Sequence, residues 1–175
     1  MIVGVVGYSG KPDEPPVKDM QAICVKLGRK LAENGHIVFN GGRDGVMELV
    51  SKGVREAGGT VVGILPKDVP GNEHLSLCVK TPFDMLLRSF VLIENCDVVV
   101  SIGGQVGTAI EVLASYSRGI PVILLKGTGG WTDNCVNILI DGKYFDSRQS
   151  SEVFQATNIN EVMKILETLG GRRHG

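Results

Sequence analysis

Along this chain, short runs that are almost wholly apolar alternate with longer segments in which apolar residues return every third or fourth position. The runs fall at residues 2–6, 37–39, 60–65, 97–102 and 121–125. A strand that is apolar on both faces must be covered on both, which is the condition inside a parallel sheet. The periodic segments predict helices. Residues 17–34 carry Met20, Cys24, Leu27 and Leu31 on one stripe and end at Gly35. Residues 45–57 carry Val46, Leu49, Val50 and Val54 and stop at Gly58-Gly59. Residues 83–95, 109–118 and 159–169 read in the same way. Residues 75–79 and 136–140 are read as short extra strands, and 127–131 as a loop.

Strands alternating with helices predict an α/β fold: a Rossmann-like, doubly wound, mainly parallel sheet with helices on both faces. No internal repeat is visible. The 175 residues suit one domain over 1–170, with 171–175 as a disordered tail; a chain of this size buries roughly 70% of its unfolded surface.

The glycines sharpen this picture. There are 24, and three groups follow predicted strands: Gly7 to Gly10, Gly41 to Gly45 and Gly103 to Gly107. In a doubly wound sheet the ligand lies outside the carboxyl ends of the strands. A glycine turn that opens a helix offers bare amides and the positive end of the helix dipole, a setting for phosphate. A dinucleotide fingerprint is lacking, since Gly7-x-x-Gly10 is not Gly-x-Gly-x-x-Gly. The second strand ends in Asn40-Gly41-Gly42, where an acidic residue would hold ribose hydroxyls. No Walker loop is present. NAD is therefore not the expected ligand.

Composition removes other classes. A net charge of −1 gives no electrostatic reason to bind nucleic acid or an anionic membrane. No apolar stretch approaches the roughly 20 residues that span a bilayer. Residues 1–3 read as the start of a strand and not as a leader, so a cytoplasmic location is expected. Cys24, Cys78, Cys96 and Cys135 are far apart, and His36, His74 and His174 form no ligand pattern, so no metal site is expected. Lys126 stands alone at a strand end, without other signs of pyridoxal-phosphate chemistry.

Three motifs carry a resemblance. They are Asn40-Gly41-Gly42-Arg43-Asp44-Gly45-Val46-Met47-Glu48, Met85-Leu86-Leu87-Arg88-Ser89 and Gly103-Gly104-Gln105-Val106-Gly107-Thr108-Ala109-Ile110-Glu111. In this order the chain resembles the superfamily of the Lonely Guy phosphoribohydrolases, often mislabelled lysine decarboxylases. That family's signatures are Gly-Gly-Gly-x-x-Gly-Leu-Met-Gly, Met-x-x-Arg-Lys and Pro-Gly-Gly-x-Gly-Thr-x-x-Glu. Here Gly103 replaces Pro, Gln105 replaces a Gly, and Ser89 replaces the Lys after Arg88. With the loop Gly127-Thr128-Gly129-Gly130-Trp131, these departures make the chain more similar to a branch that includes molybdenum-cofactor carrier proteins.

The resemblance implies a pocket for a phosphorylated nucleotide or pterin, the molybdenum cofactor among them, with no cofactor required for its own sake. It also implies a homo-oligomer, a dimer or tetramer. Three functions follow: a carrier, a phosphoribohydrolase acting on nucleoside 5′-monophosphates, or a nucleotide-sensing subunit with a partner protein. Decarboxylation of lysine is not among them.

Each residue also has a plain structural reading. Thr108 and Glu111 form the pattern of a helix-capping box; the resemblance turns Glu111 toward the sugar or the breaking glycosidic bond. Arg88 is by default a surface residue; the resemblance gives it a phosphate. If the chain is an enzyme, these two are its catalytic residues. Gly41, Gly42 and Gly45 are turn formers or anion contacts, with Arg43 solvated or on the phosphate, and Ser9 and Gly10 equally balanced. Gly103, Gly104, Gly107 and Thr108 are expected to cradle the phosphate, with Gln105 crowding it or adding an amide contact. Trp131 either stacks on a flat ring or seals an apolar edge.

Overall fold

The apolar runs lie side by side. In the computed structural model, which describes residues 1–173, seven strands pair in the order β4-β3-β2-β1-β5-β6-β7. They are β1 (Ile2–Gly7), β2 (Ile37–Asn40), β3 (Val61–Pro66), β4 (Leu77–Thr81), β5 (Val98–Ile102), β6 (Val122–Leu125) and β7 (Val153–Ala156). Every pairing is parallel, with Val3 opposite Val38 on one side and Val98 on the other. The strand order reverses between β1 and β5. This is the switch point at which a doubly wound sheet opens a crevice.

The helices are α1 (Gln21–Glu33), α2 (Val46–Glu56), α3 (Leu87–Glu94), α4 (Val106–Ser117), α5 (Gly130–Asn137) and α6 (Ile159–Arg173). The stripes read on α1 and α2 are buried, with Met20 half-buried; of the apolar residues read on 83–95, Phe90 and Ile93 pack inward, whereas Phe83, Met85 and Leu86 are exposed. Leu27, Leu31, Val50, Val54, Val162 and Leu166 of α1, α2 and α6 pack with Val3, Val5 and Val98 into one cluster. Leu92, Ile93, Val112, Tyr116 and Cys135 of α3, α4 and α5 pack with Val6, Val99 and Leu124 into another. Both faces of the sheet are thus covered, as the continuous apolar strands require.

Several expectations change. Residues 136–140 are not a strand: α5 runs through Asn137, and Ile140 makes only an isolated bridge with Tyr144. The expected loop at 127–131 ends early, because Asp133 accepts from the Gly127 and Gly129 amides at 2.9 and 2.8 Å and so fixes the start of α5. Strand β7 had no clear signature, since Val153-Phe154-Gln155-Ala156 is short and mixed; its pairing with β6 decides it. Helix α3 starts later than residue 83, because the Asp84 carboxylate accepts from the Leu86 and Leu87 amides at 2.9 and 2.8 Å. Helix α4 starts at Val106, ahead of the predicted 109. Helix α6 continues to Arg173, so the segment expected as a tail from 171 is helical to that point; 174–175 lie outside the described residues. Among the described residues no helix is long and apolar enough to cross a membrane.

Candidate functional site

Beyond the carboxyl ends of β1 and β2, between α3 and α4, the fold leaves a cavity of about 260 Å³. Val5, Val6, Gly7 and Ser9 form one side of it, and Gly41, Arg43 and Met47 another. Helix α3 with the turn before it adds Met85, Leu86, Arg88 and Ser89, and α4 adds Gln105, Gly107, Thr108 and Glu111. All three motifs therefore meet in one place.

Arg88 is not the surface residue its charge predicts by default. It is 5% exposed, and its Nε and Nη1 are buried without a hydrogen-bond partner. A buried cation is normally paired, so two unpartnered donors beside a cavity mark Arg88 as unusual for a structural residue. Burial pulls the guanidinium below its ordinary range; the Glu111 charge opposes that, and the Arg43 charge adds to it. Gly41 explains how the side chain fits. A methyl group on Gly41 would lie 2.6 Å from both terminal nitrogens of Arg88, so glycine there makes the room that the guanidinium occupies.

Glu111 and Thr108 do not form a capping box. The residue at the N-cap of α4 is Gln105, and no side chain caps the helix. The Thr108 hydroxyl donates instead to the Gly7 carbonyl at 3.2 Å, tying α4 to the end of β1. Glu111 turns toward α3, where its Oε1 accepts from the Ser89 hydroxyl at 2.8 Å. Burial raises the Glu111 carboxyl above its ordinary 4.5, while the Ser89 hydrogen bond and the Arg88 charge act against the rise. The cavity thus has a cation on α3 and, on α4, a carboxyl group that burial holds above its ordinary range.

The glycine turns divide into two kinds. Gly103 and Gly104 do not line the cavity, and both Gly103 backbone groups and the Gly104 carbonyl are already used. The Gly103 amide donates to Thr128 Oγ1 at 2.8 Å, and its carbonyl accepts from Thr132 Oγ1 at 2.7 Å. The Gly104 carbonyl accepts from the Trp131 amide at 2.9 Å. Both glycines have positive φ, 59° and 94°. They hold the start of α4 against α5. The surface left for an anion is the uncapped first turn of α4, at Gln105, Gly107 and Thr108.

The turn after β2 divides likewise. Gly42 donates to Asn40 Oδ1 at 2.8 Å, and Asn40, fully buried, also donates to the Met47 carbonyl and Ser51 Oγ. Asn72 ties the Gly42 and Arg43 carbonyls from outside. Gly45, at φ 72°, lets the Val46 amide reach the Tyr8 carbonyl at 2.8 Å. Gly42 and Gly45 therefore shape the walls and Gly10 does not line the cavity, while Gly41, Arg43 and Ser9 face it. Trp131 lies elsewhere: it opens α5, packs partly against the second core cluster and lines a separate hollow. Sequence reasoning missed Ser89 as the partner of Glu111, because only the packing of α3 on α4 joins them.

Comparison with known proteins agrees with this architecture. The model of the SLOG cluster4 family matches residues 1–163, and the chain belongs to that family. It is similar to the X-ray structure of TM1055, at 60% identity and a TM-score of 0.94, covering 95% of this chain and 98% of that one. It is also similar to the molybdenum cofactor carrier protein of Chlamydomonas reinhardtii, at 28% identity and a TM-score of 0.81, covering 97% and 98%. Among sequence relatives, a probable cytokinin riboside 5′-monophosphate phosphoribohydrolase, LOGL6 of Oryza sativa subsp. japonica, is 28% identical over 89% of this chain and 67% of its own length. The resemblance to the Lonely Guy and carrier branch is thus shown, as is the Rossmann-like fold.

Proposed function

We propose that this member of the SLOG cluster4 family binds a phosphorylated nucleotide or pterin between α3 and α4, and holds it without efficient turnover, as a carrier does. The observation that carries the reading is the buried Arg88 guanidinium with two donors unpartnered beside the uncapped start of α4. An anionic oxygen placed there meets a fixed charge, a helix dipole and backbone amides together. Arg43 faces the same space. Ser89 stands where the related hydrolases have a second cation, so this pocket holds the anion with less positive charge. Similarity to the Chlamydomonas carrier protein favours a phosphorylated pterin moiety as part of the cargo.

A second reading has its own observation. A carboxyl group that burial moves toward its protonated form, held by Ser89 at 2.8 Å, is suited to donate a proton to a departing base. Glycoside cleavage uses a raised carboxylic acid in that way. On this reading the protein is a phosphoribohydrolase of nucleoside 5′-monophosphates. The two readings separate in one experiment: base release from a panel of nucleoside 5′-monophosphates, followed by chromatography beside calorimetric titration. Binding without release supports the carrier; release abolished by Glu111→Gln establishes the hydrolase; neither binding nor release removes both.

Self-association belongs to the same proposal. Phe83, Met85, Leu86 and Leu87 are all exposed, and Met85 and Leu86 also line the cavity. A second copy covering them would close the cavity's apolar rim. Leu87→Glu adds an acidic residue to the first turn of α3, which a helix tolerates, and light scattering should show the assembly reduced to smaller species. An unchanged mass would place the contact elsewhere.

A further inference from the structure

Two hollows meet at the first turn of α4. One is the cavity beside Arg88. The other opens toward α5, where Tyr8, Val106, Trp131 and Asn134 line an open groove of about 670 Å³. Gln105 and Gly107 line both. The site in which a phosphate is proposed therefore stands between two separate spaces, one on the β2 side of the switch point and one on the β6 side. In doubly wound sheets the two halves of a dinucleotide lie across this division.

The two spaces differ in chemistry. The first has the charged groups, Arg88 and Glu111, and at about 260 Å³ it lies below the roughly 300–1,000 Å³ of ordinary small-molecule pockets. The second has no charged side chain among its lining residues and offers two aromatic ones. Trp131 is fixed in place there: its amide donates to the Gly104 carbonyl at 2.9 Å, and the neighbouring Thr132 bonds the Gly103 carbonyl through both its amide and its hydroxyl. An indole held on such a frame and left partly exposed is preorganised for stacking. The hydrogen bonds that occupy Gly103 and Gly104 thereby position Trp131 next to the anion surface.

We infer that the site is two-lobed, and that its ligand belongs to the dinucleotide class: two flat ring systems joined through a diphosphate that crosses the start of α4. One ring enters the cavity beside Arg88 and Glu111, and the other lies against Trp131. This rests on the phosphate reading above and deepens it, because a ligand with one ring leaves the Trp131 groove unused. The absence of a Gly-x-Gly-x-x-Gly turn and of an acid after β2 argues against ordinary NAD geometry in the first lobe and leaves the diphosphate bridge itself intact.

The sole tryptophan makes the test direct. Adenosine and guanosine 5′-diphosphates are titrated against the matching P1,P2-dinucleoside diphosphates, with calorimetry and Trp131 emission read together. The dinucleoside diphosphate should bind about tenfold more tightly than the diphosphate with one ring, the gain expected of one base stacked on an aromatic side chain. It alone should change the emission of Trp131. Trp131→Leu should erase the gain and leave the affinity for the one-ring ligands as it was. Equal affinity for both ligand types, or a gain with silent emission in the unsubstituted protein, overturns the two-lobed site while leaving the phosphate reading standing. Failure of every one of these ligands to bind, where nucleoside 5′-monophosphates do bind, overturns the two-lobed site; failure of both sets overturns the phosphate reading, and the inference with it.

Discussion

The turn after β5 and the turn after β2 look alike in sequence, each a pair of glycines between an apolar strand and a helix, yet they do opposite work. After β5, Gly103 and Gly104 spend their backbone groups on Thr128, Trp131 and Thr132 and fasten α4 to α5. After β2, Gly41 bonds nothing with a side chain it lacks; its missing Cβ leaves space that the Arg88 guanidinium fills. The first turn is a clasp and the second a recess. A glycine-rich turn at a strand end therefore does not by itself identify the anion contact; the difference lies in which polar groups the fold has already used.

Substitutions should separate the two regions. The largest effect is expected at the clasp. Gly104→Ala places a methyl group 2.2 Å from Thr108 Oγ1 at a φ of 94°, and strain plus overpacking of this kind cost about 3 kcal/mol. For a chain of this length that is a fall of about 6–12 °C in Tm, measured by thermal unfolding. A melting temperature within a degree of the original would show that the turn yields easily and is no clasp.

At the recess, function and stability should move in opposite directions. Arg88→Met keeps much of the buried stem and removes an unpaired charge, so binding of nucleoside 5′-phosphates should weaken about 30- to 100-fold, the loss of charged hydrogen bonds. The unliganded protein should meanwhile be at least as stable as before, because a buried guanidinium with two unpartnered donors has been removed. If melting falls and affinity holds, Arg88 is structural. Gly41→Ala is the smaller version of the same test. Its methyl group displaces the guanidinium and should lower affinity about tenfold through position alone, with circular dichroism unchanged.

The smallest expected effect is a slope against pH. The folded carboxyl of Glu111 lies above its ordinary 4.5 because burial disfavours the anion. The native state therefore holds a proton that the unfolded chain releases. The contribution of this group to stability is greatest below 4.5 and declines as pH rises from that value through the folded one. Glu111→Gln should flatten this part of the stability curve in urea titrations at successive pH values. A slope that persists in the variant assigns it to another group.

Much of this was legible before any coordinates. Alternation of apolar runs and helical stripes placed β1, β2, β3, β5 and β6, and the three motifs marked the end of the sheet where the cavity lies. These are local signals: whether a segment is apolar on one face or two is written in the segment itself. Arg88 carried no local sign of burial, because its surroundings are built by Gly41 and α4, distant in sequence. Thr108-x-x-Glu111 fits a cap by spacing alone; the Gly7 carbonyl and Ser89, brought in from β1 and α3, take those side chains instead.

The sequence by itself thus determined the layered sheet and the end of it where the cavity lies, since both follow from hydrophobic period and from where glycine interrupts it. Tertiary structure decided which glycines are clasp and which recess, that a helix over 130–137 replaces the strand expected at 136–140, that β7 exists at all, and that Trp131 faces a hollow of its own. Each of those depends on hydrogen-bond partners and neighbours supplied by other elements. A residue's own window does not hold that information, because the free energy of burying Arg88 or satisfying Gly103 is set by what the completed fold places beside it.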